Sequence, residues 1–537
     1  MTHLPIDRRS LFGLATAFGA ASPFVAIRDA AAQGASRRTT LIIALDISDT
    51  VTLDPARIAQ YSSPMTAHAC YDSLVTMDPG DYITIRPAVA TEWAMRPDGK
   101  AMRFKIRQGM RFPSGATLTA EDVRFSLERI IHLQDQSQQY IAHVEKVEIV
   151  DPQTVDVVMK DPTQPLLTIV AAPGFGILEK KVVEAQGGSA APGAKENDKA
   201  TRWLDSNSAG TGPYRLVGWE RNQQIQLVRN PNYWGPAPGY ERIIIRHIGE
   251  SAAQLLALRR GDVDMAFNLI PEQIATLGDS PDITVMRELS LDWMYMAISE
   301  DPANPALAKK AARQAIGYAI DYDGIIKNLA GGQGKRPATF LPIGVVGSTE
   351  EVARQVGFRE DLAKAKALLA EAGLPDGFSF DLSFANAAVF GVSYQLLAQK
   401  IQSDLARVGI KANLTPQDQV GMRTLYIQGK LQSVLTYWNP PAVENQLWAS
   451  ATVNRVARRV HWTPPEALKK LVDEASAERD LGKAGQMWIE YQKQMVDAAH
   501  LLILIQPIYQ VGTRKSVQGV QLTAAGWMAE FAKARPV

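Results

Sequence analysis

Two hydrophobic periods alternate through the second half of the chain, and that alternation limits the fold more than any other feature. Leu307, Ala311, Ala315 and Ala319 recur on one helical face. Leu362, Ala365, Leu369 and Ala372 do the same and stop at Gly373, before Pro375. A third stripe, Leu397, Ile401, Leu405 and Val408, stops at Gly409. Residues 378–384 and 410–414 between these stripes read as strands, and a long helix is predicted over 480–499. Residues 501–505 are strongly apolar but halted by Gln506-Pro507, so they predict a core strand too short to cross a membrane. Helices and strands in this order bury their apolar faces as α/β layers.

The first half reads similarly but is more β-rich. Residues 41–45, 104–107, 214–217, 225–228 and 243–245 predict strands. A hairpin is predicted about Asp151-Pro152, and 49–55 reads as a polar turn. Ala67, Cys70, Tyr71 and Leu74 share helical spacing, with Cys70 in the core. Thr119 with Asp122 forms a capping-box pattern ahead of Val123, Leu127 and Ile130. A helix over 251–260 ends at Gly261. Residues 186–212 are rich in Gly, Ala, Asn, Asp and Ser and read as a long surface connection.

The chain begins with an export address. Arg8-Arg9 precede an uncharged stretch from Leu11 to Ile27, and Ala30-Ala31-Ala32 offers a cleavage point. Residues 1–32 are therefore expected to be a signal peptide of twin-arginine type. With 537 residues the chain holds two or three domains. Its net charge of +1 belongs to the leader, which argues against nucleic acid or an anionic membrane as partner. The lone Cys70 excludes an internal disulfide and a Cys-rich metal site.

No nucleophile elbow, Walker loop or zinc-binding His pair is present, and the seven histidines are scattered. Gly331-Gly332-Gln333-Gly334-Lys335 lacks the ending of a phosphate loop and reads as a flexible turn. Asp262 and Asp264 read as a turn and strand start. No catalytic residue, cofactor or metal ligand is assigned. The aromatic residues carry more information. Tyr437-Trp438-Asn439-Pro440-Pro441 ends an apolar segment in a proline-stiffened turn, with Glu444 and Trp448 close behind. Such rings beside amide and carboxylate groups suit either recognition of a small molecule or a packed corner. Trp293 and Tyr295 alternate on a predicted strand and face either the same cleft or the core.

Several ordered blocks resemble the family 5 extracellular solute-binding proteins of ABC importers, the dipeptide/oligopeptide-binding class. The most specific is Phe104 to Gly115 followed by Leu118-Thr119-Ala120-Glu121-Asp122-Val123. Leu53-Asp54-Pro55, Pro87 to Trp93, Gly210-Thr211-Gly212-Pro213-Tyr214, Arg229-Asn230-Pro231-Asn232-Tyr233-Trp234-Gly235, Gly261-Asp262-Val263-Asp264 and Ala312-Arg313-Gln314-Ala315-Ile316 also match. The resemblance implies a two-lobed α/β periplasmic-binding-protein clamshell with an additional N-terminal subdomain. Lobe I would combine 36–82, 208–300 and 495–537, with an associated subdomain over 83–207, and lobe II would span 301–494. It implies a monomeric, non-enzymatic periplasmic protein that captures a short peptide or other small organic solute and delivers it to an inner-membrane ABC permease. The expected ligand-binding residues are Trp293, Tyr295, Tyr437, Trp438, Asn439, Glu444 and Trp448. A secreted hydrolase acting on a small organic substrate is the alternative. Peptide-binding relatives often carry an Asp just after the aromatic pair to hold the peptide amino terminus. Here Asn439-Pro440-Pro441-Ala442-Val443-Glu444 follows, and Glu444 replaces that Asp only if the loop folds back. Related cargoes include sugars, opines, nickel complexes and aromatic compounds.

Overall fold

The computed structural model describes residues 39–537 except 59–61, 163, 390 and 439–441. The expected leader and Asn439 therefore lie outside the described residues. A twelve-stranded mixed sheet forms the frame. At one end Thr40–Leu45 runs parallel to Arg242–His247, and Gln224–Arg229 and Tyr214–Glu220 extend the sheet antiparallel. At the other end Ser379–Ala385 lies parallel between Lys411–Gln417 and Ser433–Trp438, and the latter pairs antiparallel with Trp293–Ile298.

One strand joins the two ends. Leu501–Arg514 first pairs with Trp293–Ile298 and then with Met265–Ala266 and Ile283–Leu289. The strand predicted over 501–505 does not halt at Gln506-Pro507; it runs on to Arg514 and spans 14 residues in all. Proline is tolerated because its carbonyl still accepts the Ser290 N–H at 3.0 Å. The buried Gln506 amide satisfies the crossover: its Nε2 donates to Ser290 O at 2.6 Å and Ile343 O at 3.0 Å, and its Oε1 accepts from Ile343 N at 2.8 Å. Gly334–Lys335, within the expected flexible turn, pairs with the same strand at Pro507 and Gln506.

A separate four-stranded antiparallel sheet contains Ala90–Met95, Ala101–Ile106, Thr154–Met159 and Val144–Asp151. Helix Ala120–Leu133 packs on it with Val123, Leu127 and Ile130 buried. Its start carries the expected cap: Asp122 Oδ2 accepts the Thr119 N–H at 2.9 Å and the Thr119 hydroxyl at 3.1 Å.

Arg129 on this helix corrects two expectations. Asp54, read as part of a polar turn, is fully buried and takes Arg129 Nη1 and Nη2 at 2.8 and 2.6 Å. Asp198, within the expected surface connection 186–212, takes Arg129 Nε at 2.8 Å and Nη2 at 3.0 Å. That connection is thus pinned to the interior, with Ala194, Ala200 and Leu204 buried. Burial favours a neutral Asp54 carboxyl, but the charge and hydrogen bonds of Arg129, with Thr201 and Arg57, hold it below the usual carboxylate range.

Other differences are local. The first predicted helix ends at Cys70, with Tyr71 as its cap, leaving Leu74 outside. The helix carrying Ala315 and Ala319 begins at Lys310, after Leu307.

Candidate functional site

The paired strands Trp293–Ile298 and Ser433–Trp438 build an aromatic floor. Trp293 lies opposite Trp438 and Tyr295 opposite Thr436. Of the two readings of Trp293 and Tyr295, cleft or core, the structure gives the core: the whole strand is buried. Phe340 sits at the centre of the cluster. Its ring centroid is 5.2 Å from Trp293, 4.7 Å from Tyr295 and 5.5 Å from Trp438. Trp448 meets Trp293 edge-on at 5.9 Å.

The polar tips of these rings are less completely matched. The indole N–H groups of Trp293, Trp438 and Trp448 and the hydroxyl of Tyr394 are buried without a hydrogen-bond partner among the described residues. Tyr295 and Tyr426 share one hydroxyl contact of 3.3 Å. Burial pushes the Tyr295, Tyr394 and Tyr426 phenols up, so all three stay neutral donors. Unpaired buried donors are costly in a protein interior, and a polar guest would offset that cost.

Glu444 joins two segments far apart in sequence. Its Oε2 accepts the Thr168 hydroxyl at 3.0 Å, and its Oε1 accepts Gln446 N at 3.3 Å, capping helix Asn445–Ser450. Burial raises its pKa, opposed by those two bonds. A second long-range contact lies nearby in sequence, where Arg455 Nη1 donates to Gln139 Oε1 at 3.2 Å on the surface. Tyr437 is partly buried beside Asp49 and Asp292, which raise its phenol further after burial, while Arg423 opposes them. Asp292 accepts the Tyr509 hydroxyl.

Of the expected residues, Trp293, Tyr295, Trp438 and Trp448 converge on one cluster, Glu444 bonds Thr168, and Tyr437 feels the charges of Asp292 and Asp49. Phe340, Tyr394, Tyr426 and Arg455 were missed. A signal for Arg455 was present: no Asp or Glu occurs between Glu444 and Glu466, yet three arginines do.

Cys70 is buried, and desolvation pushes its thiol up to about 12, which makes it a poor nucleophile. Among the described residues no group of three or more His, Cys, Asp or Glu side chains could hold a metal, and no helix is long and apolar enough to cross a membrane.

A model of the bacterial extracellular solute-binding proteins, family 5, matches residues 84–454. The chain belongs to this family. Similar proteins include the probable D,D-dipeptide-binding periplasmic protein DdpA of Escherichia coli, 27% identical over 88% of this chain and 89% of that protein. Di/tripeptide-binding protein 2 of Pseudomonas aeruginosa is 25% identical over 88% of this chain and 90% of its own length. The fold matches that of a dipeptide-binding protein from Pseudoalteromonas sp. SM9913 in complex with Met-Leu, with a TM-score of 0.77, 21% identity, and coverage of 93% of this chain and 100% of that one. The protein is thus a two-lobed α/β solute-binding component of an ABC transport system, and the family places it in the periplasm.

Proposed function

We propose that this family member captures a short peptide or other small organic nutrient at the aromatic cluster and hands it to its membrane permease. One observation carries the reading: buried, unpartnered indole and phenol donors gather in one aromatic cluster, and the adjoining segment is tied to Thr168 and Gln139 by Glu444 and Arg455. A guest placed there supplies acceptors for those donors and touches both sides, so it favours the closed population through differential affinity. The peptide branch is supported by the similarity to dipeptide- and di/tripeptide-binding proteins. The charges of Asp292 and Asp49 reach Tyr437, and that negative surrounding suits an ammonium group in the absence of the Asp after Trp438.

In this reading residues 1–32 are a cleaved twin-arginine leader and the mature chain is a monomer. Lobe I is built from 36–82, 208–300 and 495–537, the subdomain from 83–207 and lobe II from 301–494. A thermal-shift screen of di- and tripeptides against sugars and aromatic solutes tests the proposal. A true ligand at about 100 times its Kd stabilises by about 2.7 kcal/mol and compacts the protein in solution scattering. Failure of every solute to do either rejects capture at this cluster.

A further inference from the structure

The glycine-rich turn Gly331-Gly332-Gln333-Gly334-Lys335 has no role in the capture reading, yet its surroundings are specific. One end of it is fixed to the strand that joins the two halves of the sheet. Gly334–Lys335 pairs with Pro507 and Gln506, and Ile508 N donates to Gln333 O at 3.2 Å. Opposite the turn stands Pro271, which opens helix Pro271–Ala275. Proline suits that position, because the first helical residue needs no N–H and its fixed φ is already helical. The helix is built into the Thr40–Leu45 end of the sheet: Ile274 and Leu277 are buried in one cluster with Ile42, Ala44 and Leu258.

Glycine flanks Pro271 on two sides. A side-chain carbon at Gly331 would stand 3.0 Å from Pro271 Cβ, and one at Gly391 would stand 3.2 Å from Pro271 Cδ. Both distances are shorter than ordinary carbon–carbon contact, about 3.5–4.0 Å, so the bare backbones are what let the ring approach this far. Gly391 belongs to the hairpin that pairs Ala388–Val389 with Val392–Ser393. That hairpin lies between Ser379–Ala385 and helix Tyr394–Ala406, at the other end of the sheet. Tyr394, which follows it directly, carries one of the unpartnered hydroxyls of the aromatic site. Gly332 is the counterpart. It shares the left-handed backbone of Gly331, with φ +74° against +57°, yet a side chain there meets open space.

We propose that Pro271, seated between Gly331 and Gly391, is a latch between the two lobes, and that this contact sets how much of the chain is closed before any solute arrives. A contact made in one arrangement of two rigid bodies and lost in the other shifts the population toward the first. Pro271 is therefore a positioning residue. It acts on affinity through the closed fraction, because apparent affinity scales with the population competent to bind. The inference rests on the two-lobed fold and is independent of which solute is captured.

Pulsed EPR distances between spin labels on Leu256→Cys and Leu396→Cys test this on the full chain without solute. Leu256 and Leu396 are exposed, on helices Ser251–Arg260 and Tyr394–Ala406 at opposite ends of the sheet, and the native Cys70 is buried away from the label. Gly331→Asn crowds Pro271 and is expected to lower the ratio of short to long distances by about 3- to 10-fold. Gly332→Asn places the same residue, which tolerates the left-handed region, in open space and leaves the ratio unchanged. Pro271→Ala keeps a good helix former, withdraws the ring from Gly391 and shifts the ratio the same way as Gly331→Asn. Circular-dichroism melts show which variants fold, and Pro271→Ala decides the matter if Gly331→Asn does not fold. Distributions in Gly331→Asn and Pro271→Ala that match the parent overturn the latch, as does an equal shift in Gly332→Asn. A chain that binds none of the screened solutes still reports these distances, so failure of capture and failure of the latch are separate results.

Discussion

Arg129 and Arg455 show two uses of the same side chain. Arg129 is fully buried and saturated: two carboxylates surround its fork, and those carboxylates in turn accept Thr201 Oγ1 at 2.8 Å and Ser189 N at 2.9 Å. Arg455 is only partly buried, yet its direct partners are an aromatic face and one neutral amide. The saturated arginine ties Leu53-Asp54-Pro55 and the 186–212 connection to helix Ala120–Leu133, so its chemistry is spent on shape. Arg455 makes no carboxylate pair among the described residues and ties its helix to Gln139 through one neutral, solvent-exposed bond.

The largest effect should come from breaking the saturated site. Arg129→Leu strands two buried carboxylates and is expected to cost about 3–5 kcal/mol in urea unfolding. A loss below about 1 kcal/mol would show that Asp54 and Asp198 find other partners and that the contrast with Arg455 is weaker than drawn. An acid titration sharpens the same point. Asp54 has a depressed folded pKa, so its stabilisation is complete above the unfolded carboxyl value of about 3.9 and drains away as pH falls through the folded value. Unfolding midpoints followed downward from pH 5 should fall, and Asp54→Asn should flatten that slope while lowering stability at pH 7.

The Glu444 contact should respond with the opposite sign and less strongly. Glu444 has a raised folded pKa, so its favourable contribution is present below the unfolded value of about 4.3 and is lost as pH rises through the folded one. Glu444→Gln keeps an acceptor for Thr168 and removes the buried charge. Its thermal midpoint at pH 7 should exceed that of the parent by about 1–2 °C, and the gap should close on acidification. A variant that melts lower at pH 7 would instead assign the ionised carboxylate to helix capping.

Much of the fold was readable because it depends on period. The capping box at Thr119, the glycine stop at Gly261 and the stripes through Leu369 and Leu405 are local patterns, and each produced the expected element. The continuation of Leu501–Arg514 through Pro507 was not readable, because neighbouring strands and the Gln506 amide make it tolerable. For the site, the aromatic residues stood out by type, while Phe340, Tyr394 and Tyr426 are distant in sequence and become neighbours only through pairing and packing.

The chain's own pattern determined that helices and strands alternate, where many of them stop, and that no disulfide can hold them together. These follow from side-chain spacing and residue type, which act over a few positions. Only the tertiary structure decided which arginine is sated and which is not. Asp54 and Asp198 lie 75 and 69 residues from Arg129. A buried charge is governed by whatever surrounds it in space, and sequence distance carries no information about that.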